Sequence, residues 1–270
     1  MKRLIGLYRE TQYSPGRHQS NDVLLLQQIG HRLREREFAV DLLSLEQAAE
    51  RRSDAAIVFS MCQGRSSLET LTGWEREGVK IINSPQAALN THRDRLPVLM
   101  VEAGVAFPQT QLVGTRERVD LRSLDLNGGI WLKRGDVHAS VTADVQWIDS
   151  AQRLEVGMAD FANRGIEIAA LQVHRAGDEI KFYGVVGGGF FHWFYSGEAS
   201  EYPFNFSHLE TVAGQAATAA GLDVFGGDVI VSPSGELTLI DLNDWPSFAP
   251  CRERASYAIA DFITRRVHAA

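Results

Sequence analysis

Three oxygen-bearing side chains late in the chain carry its strongest chemical signal: Asp228, Asp241 and Asn243. Residues 228–231 and 237–242 read as two apolar strands around Pro233-Ser234-Gly235, the pattern of an antiparallel hairpin. Side chains alternate along a strand, so Asp241 and Asn243 share a face, while Asp228 stands on the paired strand. Carboxylates set into apolar strands are costly to bury without a partner. Two carboxylates and an amide oxygen converging from paired strands suit a hard cation such as Mg²⁺, which takes carboxylates together with phosphate oxygens. The plain alternative is a polar end to an ordinary hairpin.

Cations upstream could face that set. Lys133 ends an apolar strand over 129–133 and is followed by Arg134-Gly135-Asp136-Val137-His138. A lysine there can meet a phosphate as a point charge while loop amides cradle the oxygens; a surface lysine is the even alternative. The loop has one glycine and the chain contains no GxxxxGK[ST], so it is not a P-loop. Lys181 alternates with apolar residues in Glu179-Ile180-Lys181-Phe182-Tyr183. On the inward face it needs an anion; on the outward face it needs none. Arg95 opens a helix after the break at 83–85 and is either a further cation or a solvated helix charge. His138 is a candidate general acid/base or phosphate ligand, since an ordinary histidine titrates near working pH, although a lone loop histidine is more often neither. Arg9, Arg17, His18 and Arg65 lie on loops that could hold an anion, with solvated charges as the commoner reading. Cys62 has no histidine nearby, no Gly-x-Ser-x-Gly elbow occurs, and Gly226-Gly227 precedes a hairpin and not a helix. Nucleophilic catalysis by a side chain and a dinucleotide fingerprint therefore lack support.

The elements that must position these groups fall into two regions. Strands over 4–8, 39–43, 55–59 and 79–82 alternate with helices capped by Asn21, running over 44–52 and over 68–77, which argues a small parallel α/β unit. Asn83-Ser84-Pro85 breaks that pattern, with Ser84 a cap and Pro85 a first helical residue. Beyond it come helices over 86–90 and 93–103, strands over 129–133, 145–148, 167–174, 179–186 and 190–195, and helices over 150–163, 207–220 and 251–267. Ala176-Gly177-Asp178 reads as a hairpin turn between two of those strands. The 270 residues suffice for a sizeable core, and 44% hydrophobic with 23% charged residues is ordinary for a globular chain. A net charge of −7 gives nucleic-acid binding no electrostatic support. Two cysteines without metal or disulfide spacing, no signal-peptide pattern and no membrane-length apolar run point to a cytoplasmic protein without a membrane partner.

In chain order, these residues resemble the ATP-grasp superfamily over nearly the whole length. Ile82-Asn83-Ser84-Pro85, Arg93-Asp94-Arg95, Ala103-Gly104-Val105 and Pro108-Gln109-Thr110 are similar to that family's linker into the grasp, with Arg95 in place of a usual lysine. The resemblance implies an α/β domain with a small parallel sheet over 1–84, then an α+β ATP-grasp domain over 85–270, its first lobe about 85–170 and its second about 171–270. It implies Lys133 and Arg95 on nucleotide phosphates, Gln172, Val173, His174 and Arg175 at the hinge that meets adenine, and Asp178 with Lys181 in the "G-D-x-x-K/R" segment that reaches the phosphates or the acyl phosphate. Asp228, Asp241 and Asn243 match the metal set. Lys181 and His138 are the expected catalytic groups. The implied cofactors are ATP and Mg²⁺, as two ions, with Mn²⁺ an alternative metal. The implied partner is a small-molecule or peptide substrate, and oligomeric state is unread. The overall length and linker resemble the glutathione synthetase and ribosomal-protein glutamate ligase branch, which joins a carboxylate to an amine or thiol through an acyl phosphate. The Asp…Asp-x-Asn-x-Trp-Pro run and His138 also resemble inositol polyphosphate kinases, and a non-catalytic nucleotide-binding module is a third reading.

Overall fold

The computed structural model describes residues 1–119, 128–138, 141–187, 189–198 and 200–269. Residues 139 and 140 of the loop after Lys133, and Gly188 of the triple glycine, lie outside them. The chain begins with β1 (Arg3–Leu7), α1 (Arg17–Arg34), β2 (Ala39–Leu43), α2 (Leu45–Ala49), β3 (Ala55–Ser60), α3 (Arg65–Arg76) and β4 (Ile81–Ile82). These strands form a parallel sheet of order β2-β1-β3-β4. α1 starts four residues before the expected Asn21 cap, directly after Gly16, which takes the positive φ that turns the chain into the helix. Ser44, expected as the first residue of a helix over 44–52, instead caps the shorter α2 in a reciprocal box with Gln47.

Ser84 then caps α4 (Pro85–Asn90), followed by α5 (Leu96–Glu102). β5 (Thr110–Gly114), β6 (Ile130–Arg134), β7 (Val145–Ile148) and β8 (Ile168–Val173) make a second, antiparallel sheet of order β5-β8-β6-β7, covered by α6 (Ala151–Asn163). A third sheet, β10-β9-β11-β12, is built from β9 (Asp178–Val185), β10 (Phe190–Tyr195), β11 (Val224–Val231) and β12 (Leu237–Asp244). α7 (Phe206–Ala220) and α5 pack on its apolar face through Leu96, Met100, Leu209, Ala213 and Ala217. The segment around Ala176-Gly177-Asp178 is not a hairpin: β8 and β9 belong to different sheets, and the segment carries the chain from one to the other. Turn residues specify that the chain reverses; which strands then pair is decided by the rest of the fold.

The chain closes with α8 (Arg252–His268), which returns to the first sheet. Ile259, Phe262 and Ile263 join Leu4, Leu25, Ile29, Ile57 and Phe59 in one core, which also takes in Val224, Trp245 and Phe248 of the third-sheet region. The opposite face of the first sheet is covered by Ala48, Leu68, Leu71, Trp74 and Ala88. Asn83 locks the junction: its side chain donates to Val224 O and Asp244 Oδ1 and accepts from the N–H groups of Asp223 and Val224. Among the described residues, no helix is long and apolar enough to cross a membrane.

Candidate active site

The second and third sheets face each other across a cavity of about 570 Å³. One wall is the polar face of the third sheet. Lys181 of β9, Asp228 of β11 and Asp241 of β12 are register partners, so they form a row across three strands, with Asn243 two residues further along β12. The pairing steps from Asp228↔Asp241 to Val229↔Leu239, so Ile240 is an extra residue. This bulge sends both Ile240 and Asp241 to the cavity. Close approach of the strands requires a residue without a side chain at Gly227, where a Cβ would lie 2.6 Å from Asp241 O.

Electrostatically the row alternates outward from its centre. Lys181 Nζ is 2.9 Å from Asp228 Oδ1 and 2.9 Å from Glu179 Oε1. Burial opposes the ammonium charge, but the Asp228 and Glu179 carboxylates outweigh it and push the lysine upward. Arg93 donates through Nη2 to Asp241 Oδ2, and both side chains are about nine-tenths buried. Burial opposes ionisation of Asp241, yet Arg93, Lys133 and His138 prevail and hold it at about 2.

The other wall comes from the second sheet. Alternation along β6 turns Ile130 and Leu132 into the core and Trp131 and Lys133 toward the cavity. Lys133 is 6% exposed and donates to Gln172 Oε1 at 2.7 Å. Burial is the main cause that brings it down to about 8, against the attraction of Asp241 and Asp228. Val145, Val173, Ile230 and Ile240 make an apolar section beside it. Trp131, Trp147 and His174 cluster edge-on, with centroids 5.0 Å apart for Trp147–His174 and 5.1 Å for Trp131–Trp147.

The residues singled out from sequence are distributed unequally. Lys133, Gln172, Val173, His174, Arg175, Lys181, Asp228, Asp241 and Asn243 all line the one cavity, as does His138. The Val173 and His174 N–H groups already donate to Gln109 O and Gly129 O, so those two amides are not open for adenine. Asp178 does not line the cavity; its carboxylate accepts from the Ser200 and Tyr202 N–H groups, because it alternates with Glu179 and Lys181. Arg95 caps α5 outside the cavity, and Arg93, two residues earlier, occupies it instead. No local signal distinguishes the two arginines, since only the path of the chain before α5 turns one inward.

His138 is buried, with Nε2 2.9 Å from Thr91 Oγ1. The Thr91 hydroxyl proton goes to Ala88 O, so His138 Nε2–H donates and the ring is a fixed neutral tautomer. Burial pushes its pKa to about 3, which removes the expected proton exchange near neutral pH. Arg9 is neither a loop charge nor an anion ligand: it holds Asp22, Gln63 and Trp245 O together. Arg65 pairs with Asp94, while the exposed His18 reaches the cavity rim.

Asp228, Asp241 and Asn243 offer only oxygen donors from adjoining positions, which fits Mg²⁺ or Mn²⁺ with phosphate and water completing the shell. Among the described residues no group of three His, Cys, Asp or Glu side chains is placed to hold an ion.

No family model and no curated protein sequence matches the chain. Solved structures do. The chain is similar to a D-alanine–D-alanine ligase from Bacillus anthracis complexed with ATP, at TM-score 0.77 and 11% identity over 99% of this chain and 97% of that one. It is similar to a RimK domain protein ATP-grasp from Sphaerobacter thermophilus, at TM-score 0.70 and 14% identity over 97% and 99% of the two chains. It is also similar to the ATP-grasp ligase PsnB complexed with precursor peptide PsnA2 and AMPPNP, at TM-score 0.64 and 15% identity over 98% of each chain. With a small parallel sheet followed by two antiparallel sheets that enclose a polar cleft, the chain has the ATP-grasp fold.

Proposed function

We propose that this chain binds Mg²⁺-ATP between the second and third sheets and uses it as a ligase that joins a carboxylate to an amine or thiol. The observation that carries the reading is Lys133. It is a nine-tenths-buried ammonium with a neutral amide as its hydrogen-bond partner, set at a strand end across from a row of oxygen donors. Such a charge calls for a bound anion. The apolar section around Val145, Val173, Ile230 and Ile240 suits a nucleotide base, and the ligases of like fold, one bound to ATP, support the nucleotide and the reaction class.

In this reading Asp228, Asp241 and Asn243 hold the metal, which neutralises phosphate charge when bound. Lys133 and Lys181 bind and orient the phosphates. A substrate carboxylate oxygen attacks the γ-phosphorus while the bond to ADP breaks. The incoming amine then attacks the acyl carbon, phosphate leaves, and the amine proton passes to solvent or phosphate. Fixed cations in a water-poor cleft stabilise the transferring charge, and no side-chain nucleophile is needed.

A phosphate-release screen with Mg²⁺-ATP, pairing carboxylates with amino acids, small peptides and thiols, tests the proposal. Release that needs both an acid and an amine or thiol is the expected result. ADP formed with a polyol phosphate alone would assign a kinase instead, and nucleotide binding without turnover would assign a sensing module.

A further inference from the structure

The row that would hold the metal is already neutralised by the chain itself. Across it the charges run Lys181, Asp228, Asp241, Arg93: a cation at each end and two carboxylates between. The two ends differ. Lys181 is about one-third exposed and divides its charge between Asp228 and Glu179. Arg93 is buried, and its guanidinium is underused: Nη2 serves Asp241, while Nε and Nη1 have no partner. Buried donors are almost always paired in folded proteins. A guanidinium left with open donors beside a cleft for an anion is poised to take one.

Resting on the nucleotide-site reading above, we infer that Arg93 is a positioning residue with two alternative anion partners. In the free protein it occupies Asp241 and keeps divalent metal from binding there. When nucleotide enters, it turns its open N–H groups to phosphate oxygen and gives up Asp241. Metal affinity and nucleotide affinity are thereby linked through one side chain, and the metal binds with the nucleotide and not before it. The charges agree: turning Arg93 away breaks the ion pair on Asp241 and leaves that carboxylate with the longer-range attraction of Lys133, while Asp228 keeps Lys181, so the row becomes a better cation site.

The test is Mn²⁺ titration of the full chain without nucleotide, followed by electron paramagnetic resonance, for the unsubstituted protein and for Arg93→Gln, Arg93→Lys and Arg93→Gln with Asp241→Asn. The expected result is at least tenfold tighter Mn²⁺ binding in Arg93→Gln, lost again in the double variant and absent in Arg93→Lys, which keeps the charge. Unchanged or weaker Mn²⁺ binding in a folded Arg93→Gln, or equal tightening in Arg93→Lys, overturns the inference. Should Arg93→Gln not fold, the unsubstituted protein still decides: tight Mn²⁺ binding without nucleotide overturns it. Calorimetry with ADP at saturating Mn²⁺ separates the two levels. If ADP does not bind, the nucleotide site itself fails; if ADP binds while Arg93→Gln leaves Mn²⁺ affinity unmoved, only the role of Arg93 fails.

Discussion

Replacing Lys133 by methionine should make the protein more stable and its proposed ligand weaker. The side chain is buried to 6% exposure, and burial lowers its pKa from 10.5 to about 8. At about 1.4 kcal/mol per unit, the charged lysine costs the fold about 3 kcal/mol. Methionine is of similar length and carries no charge. It forfeits the hydrogen bond to Gln172 Oε1, worth about 1 kcal/mol, so Lys133→Met should gain about 2 kcal/mol at pH 7. The pH dependence supplies the sign. Unfolded, the lysine keeps its proton to about pH 10.5; folded, it releases it near 8. Below about pH 8 the cost is fully present. From there toward 10.5 the unfolded chain binds more protons, so the unsubstituted protein gains stability while the variant does not. Urea unfolding of both proteins at pH 7 and pH 10 reads this directly, and other titrating groups cancel in the comparison. The variant's advantage should shrink to near zero at pH 10, and its ATP affinity at pH 7 should be at least about tenfold lower. A variant less stable at pH 7, or an advantage that does not change with pH, would refute the reasoning.

Asp241→Asn should retain the circular dichroism spectrum yet lose metal-dependent ATP turnover by at least about 100-fold, the upper end of the loss when only an outer-sphere partner of a metal is removed. Its thermal midpoint should also fall, because Arg93 loses its counter-charge. Asn83→Ala should cost at least about 3 kcal/mol in urea unfolding, since four hydrogen bonds at the junction of the first and third sheets go unmade. Gly227→Ala should cost about 1–3 kcal/mol and weaken Mg²⁺-ATP binding, because the added carbon meets Asp241 O at 2.6 Å and β11 and β12 must part beneath the acidic row.

Much of this was readable from residue order because it is local. Asp228, Asp241 and Asn243 obey strand alternation, and a hairpin needs only its turn and two apolar runs to be seen. Lys133 was visible as the end of an apolar strand, and the break at Asn83-Ser84-Pro85 carries its own capping chemistry. What was not readable depends on the path of the chain between elements. Arg93 and Arg95 sit two apart in similar surroundings, and only the tertiary course sends one to Asp241, 148 residues away in sequence. Asp178 was drawn into the site by a spacing that ignores alternation with Lys181. The turn at residues 176–178 gave no sign that the chain was leaving one sheet for another. His138 illustrates a different gap: its type suggests titration near neutral pH, and only burial removes it.

The return of α8 to the first sheet has a consequence for synthesis. Chain emerges N-terminus first, so β1–β4 and α1 are available long before residues 252–268 exist. Until then Leu4, Ile57 and Phe59 lack the helix that completes their cover. Contacts this distant in sequence close slowly, and apolar surface exposed meanwhile is prone to aggregate. Recovery of folded protein should therefore respond to chaperone supply and growth temperature more than the equilibrium stability of the finished fold would suggest.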